Sequence, residues 1–217
     1  MPTVTGIEAH SRRSGRYDVS VDGQVAATLG AESVARLGLR VGLAADDKLV
    51  AELERESAIT STLDRALNML AFRARSVREL RRALVRKGEP EAHVDAAIER
   101  LTVMGLLNDA DFARQFARSK LTGAGYGAWR IRAELSKRGV PRPVVDRAIE
   151  EVVSDIDASE PAVADRIARK KLESMADIDP AVRRRRLYAF LARRGYSPDE
   201  IKRATATLSS SAQGGKS

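Results

Sequence analysis

The chain contains no cysteine. That excludes structural disulfides, thiolate catalysis and cysteine-ligated zinc or iron–sulfur centres. Aromatic residues supply only 4% of the sequence, and histidine occurs twice, as His10 and His93. His93 falls on a polar helix face with no second ligand at metal-binding spacing, so no metal and no cofactor are expected. No Ser–His–Asp set or paired-carboxylate motif stands out, and no enzymatic activity is expected. No apolar run approaches the ~20 residues that span a bilayer. Met1–His10 lacks the basic-then-apolar order of a secretory signal, so the expected setting is soluble and cytoplasmic, with no membrane partner.

What the sequence has is helix-forming, basic and repetitive. Of 217 residues, 43% are apolar, ample for a buried core. Ala, Leu, Arg and Glu are abundant, and all favour helix. The net charge of +8 is uneven. Residues 1–62 hold 7 Lys/Arg against 9 Asp/Glu, whereas residues 63–217 hold 31 against 21. The basic surplus therefore belongs to the later part of the chain. It fits a polyanionic partner, and equally an arginine-rich proteome.

The first 30 residues read as strand. Tyr17, Val19 and Val21 alternate with polar neighbours, and Asp22-Gly23 supplies a tight-turn pair. A small β-hairpin or three-stranded piece is expected, followed by helix at Ala31–Leu37. A further helix is expected over about 46–57, and another from Leu63.

From residue 63 the chain repeats itself three times. The segments superpose on Gly88, Gly139 and Gly195. Eight residues before each glycine stand Leu80, Ile131 and Leu187, and four before stand Leu84, Leu135 and Leu191. Lys87, Arg138 and Arg194 immediately precede it. Val94, Val145 and Ile201 follow by six, Ala97, Ala148 and Ala204 by nine, and Leu101, Val152 and Leu208 by thirteen. Apolar residues four apart before a glycine mark an amphipathic helix with a glycine C-cap. Pro90, Pro141 and Pro198 then open the next helix. Ser76–Glu79 and Ser197–Glu200 have capping-box spacing. A further helix precedes each pair, at Leu63–Ala74, Asp109–Leu121 and Ala162 to about Met175. The fold class is thus mainly α. Three tandem three-helix units are expected in an elongated, curved array with a shared, extended core, preceded by the β-hairpin extension. The boundaries fall at 1–60 for the extension, at 61–108, 109–157 and 158–208 for the repeats, and at 209–217 for a disordered tail. The chain is expected to be a monomer.

Particular residues resemble a known family. Ala66-Leu67 to Leu70, Arg75-Ser76, Leu80, Leu84, Lys87-Gly88, Val94 and Ile98 are similar to the first repeat of RecX proteins. The run Gly105-Leu106-Leu107-Asn108-Asp109-Ala110-Asp111-Phe112-Ala113 resembles that family's junction between repeats one and two. Gly125, Gly127, Ile131, Leu135 and Arg138-Gly139-Val140 resemble its second repeat. Two positions depart from the pattern: Asn108 where an acid is frequent, and Thr205 at the register of Ile98 and Ile149. The resemblance implies a regulator that binds RecA and its filament on single-stranded DNA. Such a protein dampens RecA's ATPase, strand-exchange and coprotease activities in recombination, DNA repair and the SOS response. Direct DNA contact stays open. The rival reading is an independent helix-turn-helix regulator, which would carry one recognition helix; here the basic helix recurs three times.

The second helix of each repeat carries the candidate RecA- or DNA-binding residues. These are Arg78, Arg81, Arg82, Arg86 and Lys87; then Arg130, Arg132, Lys137 and Arg138; then Arg183–Arg186 (Arg183, Arg184, Arg185, Arg186), Arg193 and Arg194. Arginine suits phosphate and carboxylate through bidentate contacts. Lys87, Arg138 and Arg194 end helices, where a cation is stabilised by the dipole, and that capping role is the favoured one for them. In the loop 123–129, three glycines suggest a phosphate cradle, but no Walker lysine follows, which rules out nucleotide binding. Tyr126 is a candidate for stacking on bases. Trp129 is expected in the core between repeats. Asp109 and Asp111 read as charges at the start of their own helix.

Overall fold

The computed structural model describes residues 1–155 and 160–213. Three antiparallel strands open the chain: β1 (Val4–Ala9), β2 (Arg16–Val21) and β3 (Gln24–Gly30), in the order β1-β2-β3. Tyr17 pairs with Leu29 and Val19 with Ala27. Asp22 and Gly23 both have positive φ, 48° and 81°, as the two-residue hairpin turn requires. Alternation sends Val4, Val19, Ala27 and Leu29 to one side, where they pack with Leu39 and Leu53.

Among the described residues ten helices follow: α1 (Ala31–Arg36), α2 (Asp47–Phe72), α3 (Val77–Arg86), α4 (Glu91–Val103), α5 (Asp109–Arg118), α6 (Ala128–Lys137), α7 (Arg142–Asp155), α8 (Glu160–Glu173), α9 (Pro180–Arg193) and α10 (Pro198–Gln213). A π-helical turn, Ser119–Ala124, continues α5. The repeats are α2–α4, α5–α7 and α8–α10. The fold class read from the sequence holds: a mainly helical chain with three three-helix repeats behind a small sheet.

Three expectations need correction. The helices expected near 46–57 and from Leu63 are one 26-residue helix, α2, so the boundary placed at residue 61 falls inside it. No glycine or proline interrupts 47–72. The Thr62 hydroxyl donates to the Ala58 carbonyl at 3.2 Å and lies 2.6 Å from the Glu89 carboxylate, so the hydroxyl-rich stretch does not break the helix. Second, α10 continues to Gln213, through part of the expected tail. No glycine or proline interrupts 199–213, so nothing there breaks the helix; residues 214–217 and the boundary at 157/158 lie outside the described residues. Third, repeats two and three do not share one core. Ile131, Leu135, Val145, Ala148 and Val152 belong to one cluster, while Leu187, Leu191, Ile201 and Ala204 belong to another.

The chain forms two compact units: Met1–Arg75 with Glu79–Leu107, and Ser76–Arg78 with the chain from Asn108 onward. In the first, α1, α2 and α4 are tied together by charge. The buried Glu56 of α2 accepts from Ser33 at 2.9 Å and Arg100 at 2.8 Å, and pairs with Arg36 at 2.6 Å. Burial alone would raise the Glu56 pKa. Hydrogen bonds from Arg100 and Ser33, with the Arg100 and Arg36 charges, outweigh that and leave it lowered.

Candidate interaction surface

Within the second unit, one contact occurs twice. The turn after α9 seats on the start of α6: the Gly127 amide donates to the Arg194 carbonyl at 2.8 Å. Fifty-one residues earlier, at the start of α3, the Ser76 hydroxyl donates to the Arg138 carbonyl at 2.5 Å. In both cases the carbonyl just before a repeat glycine is held by the N-terminal flank of the preceding repeat's second helix. The fit leaves no room. A methyl group on Gly195 would stand 2.5 Å from the Arg130 Cβ, and one on Gly139 would stand 2.6 Å from the Arg78 Cβ. Asp109 also serves α3, accepting from the Val77 amide at 2.9 Å, and Asp111 pairs with Arg114. Asn108, the departure from the family pattern, caps α5 through the Ala110 and Asp111 amides. The capping is therefore redistributed among three neighbours in a way their order in the chain does not signal.

This geometry sorts the candidate arginines. Arg130 donates to the Arg193 carbonyl at 2.7 Å and lies 4.0 Å over the Tyr126 ring. Arg138 lies 4.9 Å over Phe116. Arg194 lies 4.6 Å over Phe190 and hydrogen-bonds the Ala124 carbonyl. Arg138 and Arg194 stand at the C-caps of α6 and α9, the helix-end positions expected of them, and add cation–π and loop contacts there. Arg81 is paired with Glu91 and Asp95, and Arg132 with Asp146. The Arg132 hydrogen bond holds the Asp146 pKa below its ordinary value.

The remainder face outward. Arg78, Arg82, Arg86, Lys87 and Lys137 are exposed, as are Arg184, Arg185, Arg186 and Arg193; Arg183 is half-exposed. Among the described residues, no carboxylate pairs with Arg183–Arg186. Asp179 caps the start of α9 through the amides of Ala181 and Val182, leaving the row at 183–186 to project from the first turns of the helix.

Two aromatic positions differ in outcome. Tyr126 is half-buried against the second-repeat core, its ring occupied by Arg130 and by Lys120 at 5.7 Å. Trp129, expected in the core, is 70% exposed. Arg130, one position later, takes the seat beside Gly195, so the indole is left outside. Sequence reading also missed three cations. Arg166, Lys170 and Lys171 of α8 join Arg194, Phe190 and the π-helical turn around a groove of about 760 Å³ with no acidic residue in its wall. Their spacing reads as an ordinary solvated helix face; only the packing of α8 against the turn reveals the groove.

The class defined by these features is a tandem array of three-helix repeats with arginine-rich second helices. Family models described as RecX first, second and third three-helix domains match residues 63–101, 108–149 and 159–205. A regulatory protein RecX of Amycolatopsis mediterranei is 38% identical over 146 residues, spanning 67% of this chain and 82% of the relative. One from Mycolicibacterium vanbaalenii is 40% identical over 134 residues, spanning 60% and 73%. The chain belongs to the RecX family. Two crystal structures share the fold. One of a regulatory protein RecX has a TM-score of 0.77 at 20% identity, covering 95% of this chain and all of that one. The RecX of Lactobacillus salivarius has 0.62 at 21% identity, covering 70% and 97%. The relatives are named regulatory proteins. Among the described residues no cluster of three or more His, Asp or Glu could hold a metal, and no helix is long and apolar enough to cross a membrane.

Proposed function

We propose that this protein regulates the RecA recombinase in the cytoplasm by binding the filament that RecA forms on single-stranded DNA, without catalytic chemistry of its own. Membership of the family supports the partner. The observation that carries the mode of binding is the set of outward arginines without carboxylate partners, above all Arg183–Arg186. Four adjacent like charges raise the local potential and repel one another. An anionic partner relieves that repulsion, whether it presents a phosphate backbone or the acidic face of a protein. Arg82, Arg86, Lys87, Lys137 and Arg193 extend the same chemistry. Arg130, Arg138 and Arg194 act behind them by fixing the turns.

The test is RecA ATPase on single-stranded DNA, titrated with this protein. Suppression at substoichiometric ratios supports action on the filament. Loss of ATPase only after free DNA is saturated indicates competition for DNA and overturns the reading. Reversing Arg183–Arg186 to Glu weakens filament binding while circular dichroism stays unchanged. Full-strength binding by that variant removes the row from the interface.

A further inference from the structure

Four phenylalanines are present, and three are covered. Phe112 and Phe116 lie 6.2 Å apart, Phe116 also carries Arg138 and Lys120, and Phe190 carries Arg194 and Lys171. Phe72, the last residue of α2, is 86% exposed, with no ring or cation partner among the described residues. It stands in the wall of a groove of about 700 Å³ with Met69, Arg75, Arg86 and Lys87. A second groove, of about 570 Å³, continues from the shared Arg75 and Arg86 to Arg81 and Arg82. The acids of this second groove are already engaged, Glu79 by Arg73 and Glu91 by Arg81. Arg75, Arg82, Arg86 and Lys87 pair with no carboxylate among the described residues. Burial, then the charges of Arg73 and Arg86, press the Arg75 pKa below its ordinary value despite Glu79, as a concentrated positive potential does. All these residues lie in the first unit.

We infer that the paired grooves along α3 bind single-stranded nucleic acid directly, with Phe72 as the platform for one base and Arg75, Arg86 and Lys87 on the flanking phosphates. An uncovered aromatic face beside cations is the combination that sequence-tolerant single-strand binding uses. A duplex hides its base faces in the stack, and an acidic peptide has no use for the open ring. The groove at the π-helical turn lacks this feature, because Tyr126 and Phe190 already hold cations. The inference rests on α3 being part of the binding face, but needs no recombinase.

Fluorescence anisotropy of a short labelled oligo-dT with the full chain, without RecA, tests it. Phe72→Ala weakens binding about tenfold, the scale of one base–aromatic stack, and Phe72→Trp retains binding. Arg86→Ala and Lys87→Ala each reduce the slope of log affinity against log salt by about one. Because Phe72 is exposed, circular dichroism stays unchanged in its variants. Equal affinity of Phe72→Ala and the parent chain overturns the site. So does equal affinity for an abasic oligomer or a duplex, or displacement by polyglutamate as effective as by oligo-dT, which makes the groove a seat for acidic protein. A chain that binds oligo-dT through Phe72 yet leaves RecA ATPase untouched sinks the filament reading and leaves this site standing. A chain that suppresses the ATPase but ignores oligo-dT does the reverse.

Discussion

The turn at Gly88 and the turn at Gly195 are built from the same repeat and used differently. Both glycines have φ of +85°, and both follow a basic residue. Around Gly88 nothing lies within 4 Å of where a side chain would start, whereas Gly195 abuts the Arg130 backbone. The first repeat has no helical repeat before it in the chain, so its turn has no such seat. Lys87 is exposed beside a groove, while Arg194 is a structural cation. One local motif therefore serves as a joint in one place and as open surface in another, and neighbours decide which.

Substituting the two glycines breaks or confirms that contrast most directly. Gly88→Ala costs the left-handed backbone alone, about 1 kcal/mol. Gly195→Ala adds steric overlap with backbone that cannot rotate away, for a total of about 4 kcal/mol. Urea unfolding of the two variants reads the difference. Equal losses would mean that the Gly195 turn is not seated as described.

The next effect sharpens the contrast between open and tied surface within the first unit. Glu56 is buried and held by three partners, so Glu56→Ala costs about 3 kcal/mol. The pH dependence follows from its lowered pKa. The carboxylate's contribution is complete above its unfolded value near 4.5 and is lost as pH falls through the lower native value. Thermal melts from pH 6 downward thus show a loss in the parent chain that is smaller in Glu56→Gln. Parallel curves for the two proteins would remove Glu56 from the acid response.

How legible this was depends on distance along the chain. The repeat, its buried positions and the hairpin turn rest on periodicity and glycine chemistry, which are local. Leu80, Leu84, Ile131, Leu135, Leu187 and Leu191 are all fully buried, as their spacing predicts; the side chain of Leu208 lies outside the described residues. What sequence could not supply was the sharing of caps between repeats. Asp109 serves α3, 32 residues back in the chain, and Arg194 reaches the loop at Ala124. Cation–π pairing likewise depends on tertiary approach. The candidate arginines therefore divided into joint and surface only once the turns were placed, and Phe72 gave no signal because an apolar residue ending a helix looks like core.

Trp129 gives the smallest expected effect and the most selective probe. It stands fifty-one residues after Arg78, at the matching place in the repeat, yet Arg78 packs on a glycine turn and Trp129 does not. An exposed side chain outside a joint contributes little to stability, so Trp129→Ala shifts unfolding by no more than about 0.5 kcal/mol. As the only tryptophan, it reports on its own surroundings in the intact chain. If the face around α6 meets the RecA filament, adding filament changes the emission of this single indole, while the Arg183–Arg186 reversal reduces the change at equal protein concentration. Emission that stays constant while the ATPase falls would place the contact elsewhere and return Trp129 to the ordinary exposed surface.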